Sequence, residues 1–115
     1  MNGSSDRVRV AVLGCGAIGS LYAAHLARVA AVEVWAVDPW EQHVAAMRAN
    51  GLRVTGLSNF TAQVHAVANA AELPPCQFGI VATKAAHTKS AIEPAQRALS
   101  DAAVVSVQNG LGNEE

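Results

Sequence analysis

The chain has little that would suit it to a membrane, a nucleic acid or an oxidising compartment. Charged residues make up 15% of its 115 residues and balance to a net charge of −1. Such a surface has no basic field to recruit phosphate backbones or anionic lipid, so nucleic acid and membrane are excluded as expected partners. No apolar run approaches the length of about 18 residues that a spanning helix needs. The first six residues, Met1 to Asp6, are polar and tag-like, without the basic, apolar and small-residue succession of a signal peptide. There are only two cysteines, Cys15 and Cys76, and neither belongs to a CxxC pair or a metal-ligand cluster, so no metal site is expected. Aromatic residues are scarce at 4%, and neither an internal repeat nor a low-complexity segment appears.

What is present is apolar and regularly arranged. Hydrophobic residues reach 51%, which suits a parallel sheet covered on both faces and does not suit a disordered chain. The length leaves room for one domain. Strand-like and helix-like segments alternate, which predicts an α/β fold with a doubly wound, mostly parallel sheet of the Rossmann type.

The first of these segments carries the chemistry. An apolar strand, Arg7 to Leu13, runs into Gly14-Cys15-Gly16-Ala17-Ile18-Gly19, and a second strand, Glu33 to Val37, ends on Asp38. Gly14 permits the tight turn, Gly16 leaves room for a pyrophosphate, and Gly19 lets the following helix lie close on the sheet. Asp38 stands 19 residues after Gly19, close to the roughly 20 expected for an acid that accepts hydrogen bonds from an adenosine ribose. The candidate cofactor-binding set is therefore Gly14, Cys15, Gly16, Ala17, Ile18, Gly19 and Asp38. A carboxylate at Asp38 repels a 2′-phosphate, so NAD(H) is expected over NADP(H), and Arg48 lies too far along the next helix to rescue the phosphate. A disulfide at Cys15 would obstruct the loop, which points to a reducing cytoplasm.

Ile18, Leu21, Tyr22, Leu26 and Val29 recur at three- and four-residue spacing and are expected to face the sheet; His25 falls on the same stripe as a packed or hydrogen-bonded residue. Pro39 opens a helix from Trp40 to about Ala49, ended by Asn50-Gly51. Trp40 is read as a half-buried residue at the helix start, with packing beside an adenine as the alternative. His43 and His65 are read as solvent-side and are given no role. Leu52–Thr55 and Thr61–Val67 read as two short strands around Gly56 to Asn59, a hairpin or a pair of edge strands; Phe78–Thr83 reads as a buried strand, Ala103–Val107 as the last strand, and a helix is expected from about Thr88.

In an open parallel sheet, ligands occupy the crevice beyond the carboxyl ends of the strands. Two further residues stand there. Lys84 follows Thr83 and is either a solvated loop lysine or a donor to cofactor ribose and substrate oxygen; Asn109 follows Val107-Gln108 and is either part of an Asn-Gly turn or a donor and acceptor for a hydroxyl or carboxylate. Thr88 and Ser90 read as helix caps, Ser90 pairing with Glu93 in a capping box.

Taken together, the glycine loop, Val81-Ala82-Thr83-Lys84 with Thr88, and Val107-Gln108-Asn109-Gly110-Leu111-Gly112 resemble the N-terminal domain of ketopantoate reductases (2-dehydropantoate 2-reductases) over essentially the whole chain. The resemblance implies reduction of a 2-oxo acid, 2-dehydropantoate, to pantoate with NAD(P)H on the route to pantothenate and coenzyme A. It also gives Lys84 and Asn109 to the nicotinamide end of the cofactor and to the substrate. It places the general acid in a helical C-terminal domain that this sequence does not contain. The chain, 1–115, is thus expected to be the cofactor domain of a longer protein, inactive alone, and able to associate with itself through uncovered apolar surface. A non-catalytic dinucleotide-binding module, or the same domain from another 2-hydroxy-acid or amino-acid-derivative dehydrogenase, stays open as an alternative.

Overall fold

The computed structural model describes residues 7–14, 17–55, 59–82 and 93–107. Strand β1 (Val8–Leu13) lies at the centre of a five-stranded parallel sheet with β2 (Val32–Val37), β5 (His65–Val67), β6 (Phe78–Val81) and β7 (Ala103–Ser106). The spatial order is β5-β2-β1-β6-β7. Successive strands run outward from β1 through β2 to β5, then the chain returns to build β6 and β7 on the other side. This reversal is the doubly wound arrangement predicted, and its crevice lies beyond the carboxyl ends of β1 and β6, the neighbours between which the strand order reverses.

Side chains of β1 alternate between two apolar layers, as the period of two requires. On one face Val10 and Val12 join Val34, Ala36 and Ala66 under helices α1 (Ala17–Ala27) and α2 (Glu41–Asn50), with Ala23, Ala24, Val44 and Met47 completing the layer. On the other, Ala11 and Leu13 meet Val37, Val67 and Val81 beneath Leu73, Ala95 and Leu99. Gly51 closes α2 at φ 78°, its N–H donating to the Met47 carbonyl at 2.9 Å.

Three expectations need correction. Most of the large apolar stripe through α1 to Val29 does not face the sheet: Leu21, Tyr22 and Val29 are exposed and Leu26 is half-buried, while Ala23 and Ala24 are fully buried. The helix sits so close that small Ala23 and Ala24 are its fully covered side chains, with Leu26 and Ala27 partly covered beside them. His25 is exposed accordingly, with its ring edge on Phe60 at 5.1 Å and the Arg28 guanidinium 4.1 Å from the same ring's centroid. Second, the segment 61–67 is two strands. Phe60–Ala62 (β4) pairs antiparallel with Leu52–Val54 (β3), while β5 joins the main sheet beside β2. Alternation of exposed and covered positions continues from Phe60 to Ala66, across the change of partner, so sequence periodicity carries no sign of it. Third, Trp40 is not half-buried but 62% exposed. The expected helix near Thr88 and its capping box at Ser90 lie outside the described residues; Glu93–Ala95 forms a turn of 3-10 helix.

At the amino end of the sheet, strand register brings Arg9, Glu33, Trp35 and His65 together. Glu33 Oε2 accepts from Trp35 Nε1 at 2.7 Å and from Arg9 Nε at 3.1 Å, and His65 Nε2 lies 3.9 Å away. The His65 ring stacks on Trp35 at 4.5 Å. The indole hydrogen bond, followed by the Arg9 hydrogen bond and charge, holds the Glu33 carboxyl below the usual carboxylate range despite the opposing effect of burial. A carboxyl with a lowered folded-state pKa stabilises the fold above its unfolded value, about 4.3, and that contribution disappears as pH falls through the folded value. Glu33→Gln is therefore expected to cost about 1–2 kcal/mol at pH 7. Urea unfolding at pH 7 and pH 3 checks this: the gap between wild type and variant should narrow at the lower pH, and a gap independent of pH would show that the charge contributes nothing.

Candidate functional site

The carboxyl ends of the strands are tied into one row by hydrogen bonds that continue past the sheet. Asp38 N donates to the Val67 carbonyl at 3.2 Å, Gly14 N to Val37 at 2.8 Å, Ala82 N to Leu13 at 2.9 Å, and Val107 N to Val81 at 2.8 Å. The row therefore runs Val67, Asp38, Gly14, Ala82, Val107 along the edge of the crevice. Asp38, Gly14, Ala82 and Val107 each stand one residue beyond their strands, where the backbone is still held by the neighbouring strand.

Gly14 has φ 93°, a conformation that side chains rarely tolerate, and it turns the chain out of β1. Gly19, in the first turn of α1, approaches that turn directly. A Cβ on Gly19 would fall on the Gly14 carbonyl oxygen and meet the Ala82 Cβ at 3.3 Å. The absence of a side chain at Gly19 thus fixes how closely α1 sits over β1, and small Ala82 forms the other side of the same contact. Sequence reasoning found the two glycines; it missed Ala82, whose only signal was a small residue at the end of a buried strand.

This geometry suits an anionic ligand. The amino end of α1 begins at Ala17, two residues after Cys15, and the first turn of any helix lacks intrahelical partners for its N–H groups, so this end of α1 is where an anion is favoured. Ala17 and Ile18 belong to that first turn of helix; Cys15 and Gly16 lie outside the described residues, as do Lys84, Thr88 and Asn109. The described residues at the exits of β6 and β7 end at Ala82 and Val107, both on this edge.

Asp38 closes the row beside Gly14. Its Oδ1 accepts from Trp40 N at 2.9 Å, which fixes the carboxylate at the exit of β2. Arg48, the nearest basic residue on α2, is directed elsewhere: its Nε donates to the Ala66 carbonyl at 2.8 Å, securing the edge strand β5. Cys76 is buried at the opposite, amino end of β6, its Sγ donating to the Pro74 carbonyl at 3.2 Å, and burial pushes its thiol pKa up. It has no part in the crevice. Among the described residues no group of His, Cys, Asp and Glu could hold a metal ion, and no helix is long and apolar enough to cross a membrane.

Comparison with known proteins agrees with this arrangement. Residues 10–115 match the family model described as ketopantoate reductase PanE/ApbA. A 2-dehydropantoate 2-reductase of Pyrococcus abyssi is 34% identical over 110 residues, which cover 94% of this chain and 35% of that protein. A crystal structure of a PanE/ApbA family ketopantoate reductase from Ralstonia eutropha JMP134 superposes with a TM-score of 0.80 at 34% identity, over 92% of this chain and 36% of its own. A D-mandelate dehydrogenase solved in complex with NADH has a TM-score of 0.73 at 27% identity, over 93% of this chain and 33% of its own. The chain spans about a third of the length of the curated relatives it matches. With a Rossmann-type sheet and a match to the family model from Val10 to Glu115, the chain belongs to the ketopantoate reductase family, as its N-terminal domain.

Proposed function

We propose that this domain binds a nicotinamide dinucleotide, NADH in preference to NADPH, for a cytoplasmic reductase that converts 2-dehydropantoate to pantoate on the way to pantothenate. The observation that carries the reading is the Gly14–Gly19 contact beside Asp38. A turn that admits no side chain, a helix amino end directed at it, and a carboxylate on the adjacent strand fit the pyrophosphate and ribose of one ligand.

In this reading the backbone from Gly14 to Gly19, including Cys15, Gly16, Ala17 and Ile18, holds the pyrophosphate, and Asp38 accepts from the ribose hydroxyls. Lys84 and Asn109, on the segments that leave β6 and β7, orient the nicotinamide ribose and the 2-oxo acid. When bound, the cofactor supplies hydride to the keto carbon. Lys84 supplies positive charge beside the oxygen on which negative charge develops, and Asn109 supplies a neutral donor and acceptor. The proton for that oxygen comes, by the family resemblance, from beyond this domain.

The preference for NADH rests on Asp38 and on the engagement of Arg48 with Ala66, which leaves a carboxylate where a 2′-phosphate would seek a cation. Calorimetric titration with NADH and NADPH tests it. Wild type is expected to favour NADH, and Asp38→Arg is expected to shift the ratio of affinities toward NADPH by about 10- to 100-fold. Equal or reversed affinities in wild type would sink the assignment of Asp38. The D-mandelate dehydrogenase with NADH favours a second reading, in which the same domain serves another 2-hydroxy acid; assays of the longer protein with 2-dehydropantoate and with aryl 2-oxo acids separate the two.

A further inference from the structure

We propose that Trp40, flanked by His43, is the platform on which the adenine base of the dinucleotide stacks. The proposal rests on the dinucleotide reading above and assigns a residue to a part of the ligand that the glycine loop and Asp38 do not reach.

Trp40 is the most exposed large hydrophobic residue among those described, at 62%. Neither of the ordinary reasons for a tryptophan applies to it. It adds nothing to either apolar layer of the core. It occupies the N-cap position of α2, where Ser, Thr, Asp or Asn would bond the first free N–H groups, and it makes no side-chain cap hydrogen bond. A large aromatic surface left in water at a position better filled by a small polar residue is expected where that surface is covered by a ligand.

The location says which ligand. Trp40 stands two residues beyond Asp38, at the carboxyl edge of β2, and its backbone is held from both sides: its N–H donates to Asp38 Oδ1 at 2.9 Å, and its carbonyl accepts from Val44 N at 3.1 Å. The indole is thus presented from a fixed backbone beside the acid assigned to the ribose. The base is joined to that same ribose and has a flat apolar face of the size of an indole. His43 lies 6.0 Å from the indole, tilted by 39°, so it borders the ring without covering it. Stacking of a base on an aromatic side chain is sequence-tolerant and strong enough to change affinity by about 10-fold.

The test uses the 115-residue chain with ADP-ribose, which carries the adenine, and nicotinamide mononucleotide, which does not. Calorimetry is expected to show ADP-ribose binding weakened about 10-fold in Trp40→Ala and largely kept in Trp40→Phe, with circular dichroism unchanged in both because the side chain is exposed. ADP-ribose should quench tryptophan emission in wild type, nicotinamide mononucleotide should not, and the quenching should vanish in Trp40→Phe, where Trp35 alone remains. Equal ADP-ribose affinity in wild type and Trp40→Ala overturns the platform while leaving the dinucleotide reading intact. Failure of wild type to bind either ADP-ribose or NADH overturns both. An indole that proves to be covered by another protein, with emission insensitive to ADP-ribose, overturns the platform as well.

Discussion

Gly19→Ala is expected to destabilise the domain by about 3 kcal/mol or more and to lower nucleotide affinity at least 100-fold. The added methyl group would occupy the position of the Gly14 carbonyl oxygen, with the Gly14 carbonyl carbon at 3.0 Å and the Ala82 Cβ at 3.3 Å. Two of these three atoms are backbone, and Gly14 is already turned out of β1 at φ 93°, so no flexible side-chain end can move aside. Either α1 lifts from the sheet or the turn shifts. Lifting α1 opens the layer that Ala23 and Ala24 fill, and overpacking of this kind typically costs 1–3 kcal/mol, with backbone collisions above that range. Shifting the turn displaces the helix amino end relative to Asp38, and a displacement of about 1 Å at such a site is worth roughly 100-fold. Urea unfolding and calorimetric titration of the same variant measure the two effects. Wild-type stability together with wild-type affinity would show that the close approach is dispensable.

Leu13→Ala is expected to cost about 2–5 kcal/mol, the range for emptying a leucine site in a packed core. Leu13 is 1% exposed, is among the largest fully buried side chains, and precedes the Gly14 turn, so the cavity would open directly beneath the site. Against a total stability of about 5–15 kcal/mol for a domain of this size, the loss should lower the melting temperature by roughly 10 °C or more. Leu21→Ala provides the contrast. Leu21 is 47% exposed on the outer face of α1, and its truncation is expected to stay within about 0.5 kcal/mol of wild type. Thermal unfolding of both variants decides whether α1 packs through its alanines, as described above, or through its larger residues; a large loss at Leu21 would reinstate the latter.

The two leucines also show how far the sequence reached. By itself it determined the alternation of strand and helix, the tight turn at Gly14, the close approach at Gly19 and the acid at the end of β2, because each depends on chain-local stereochemistry or on a spacing within one β-α-β unit. Tertiary structure alone decided what those elements met. The periodicity marked a stripe from α1 through Leu21 to Val29, yet the close approach of helix and sheet at Gly19, against Gly14 and Ala82, leaves Ala23 and Ala24 fully buried underneath and Leu26 only partly covered. Residues 60–66 carry one continuous alternation, and which partner each half takes depends on the order of strands in the sheet. The bonds around Glu33 depend on register between β1, β2 and β5, segments brought together from 56 residues apart in the chain between Arg9 and His65. Trp40 reads as half-buried because a tryptophan at a helix start usually finds a neighbour, and only the packed molecule shows that most of its surface stays exposed, with His43 at its border. Local spacing is written along the chain, whereas the neighbours of a face follow from how all the faces pack at once.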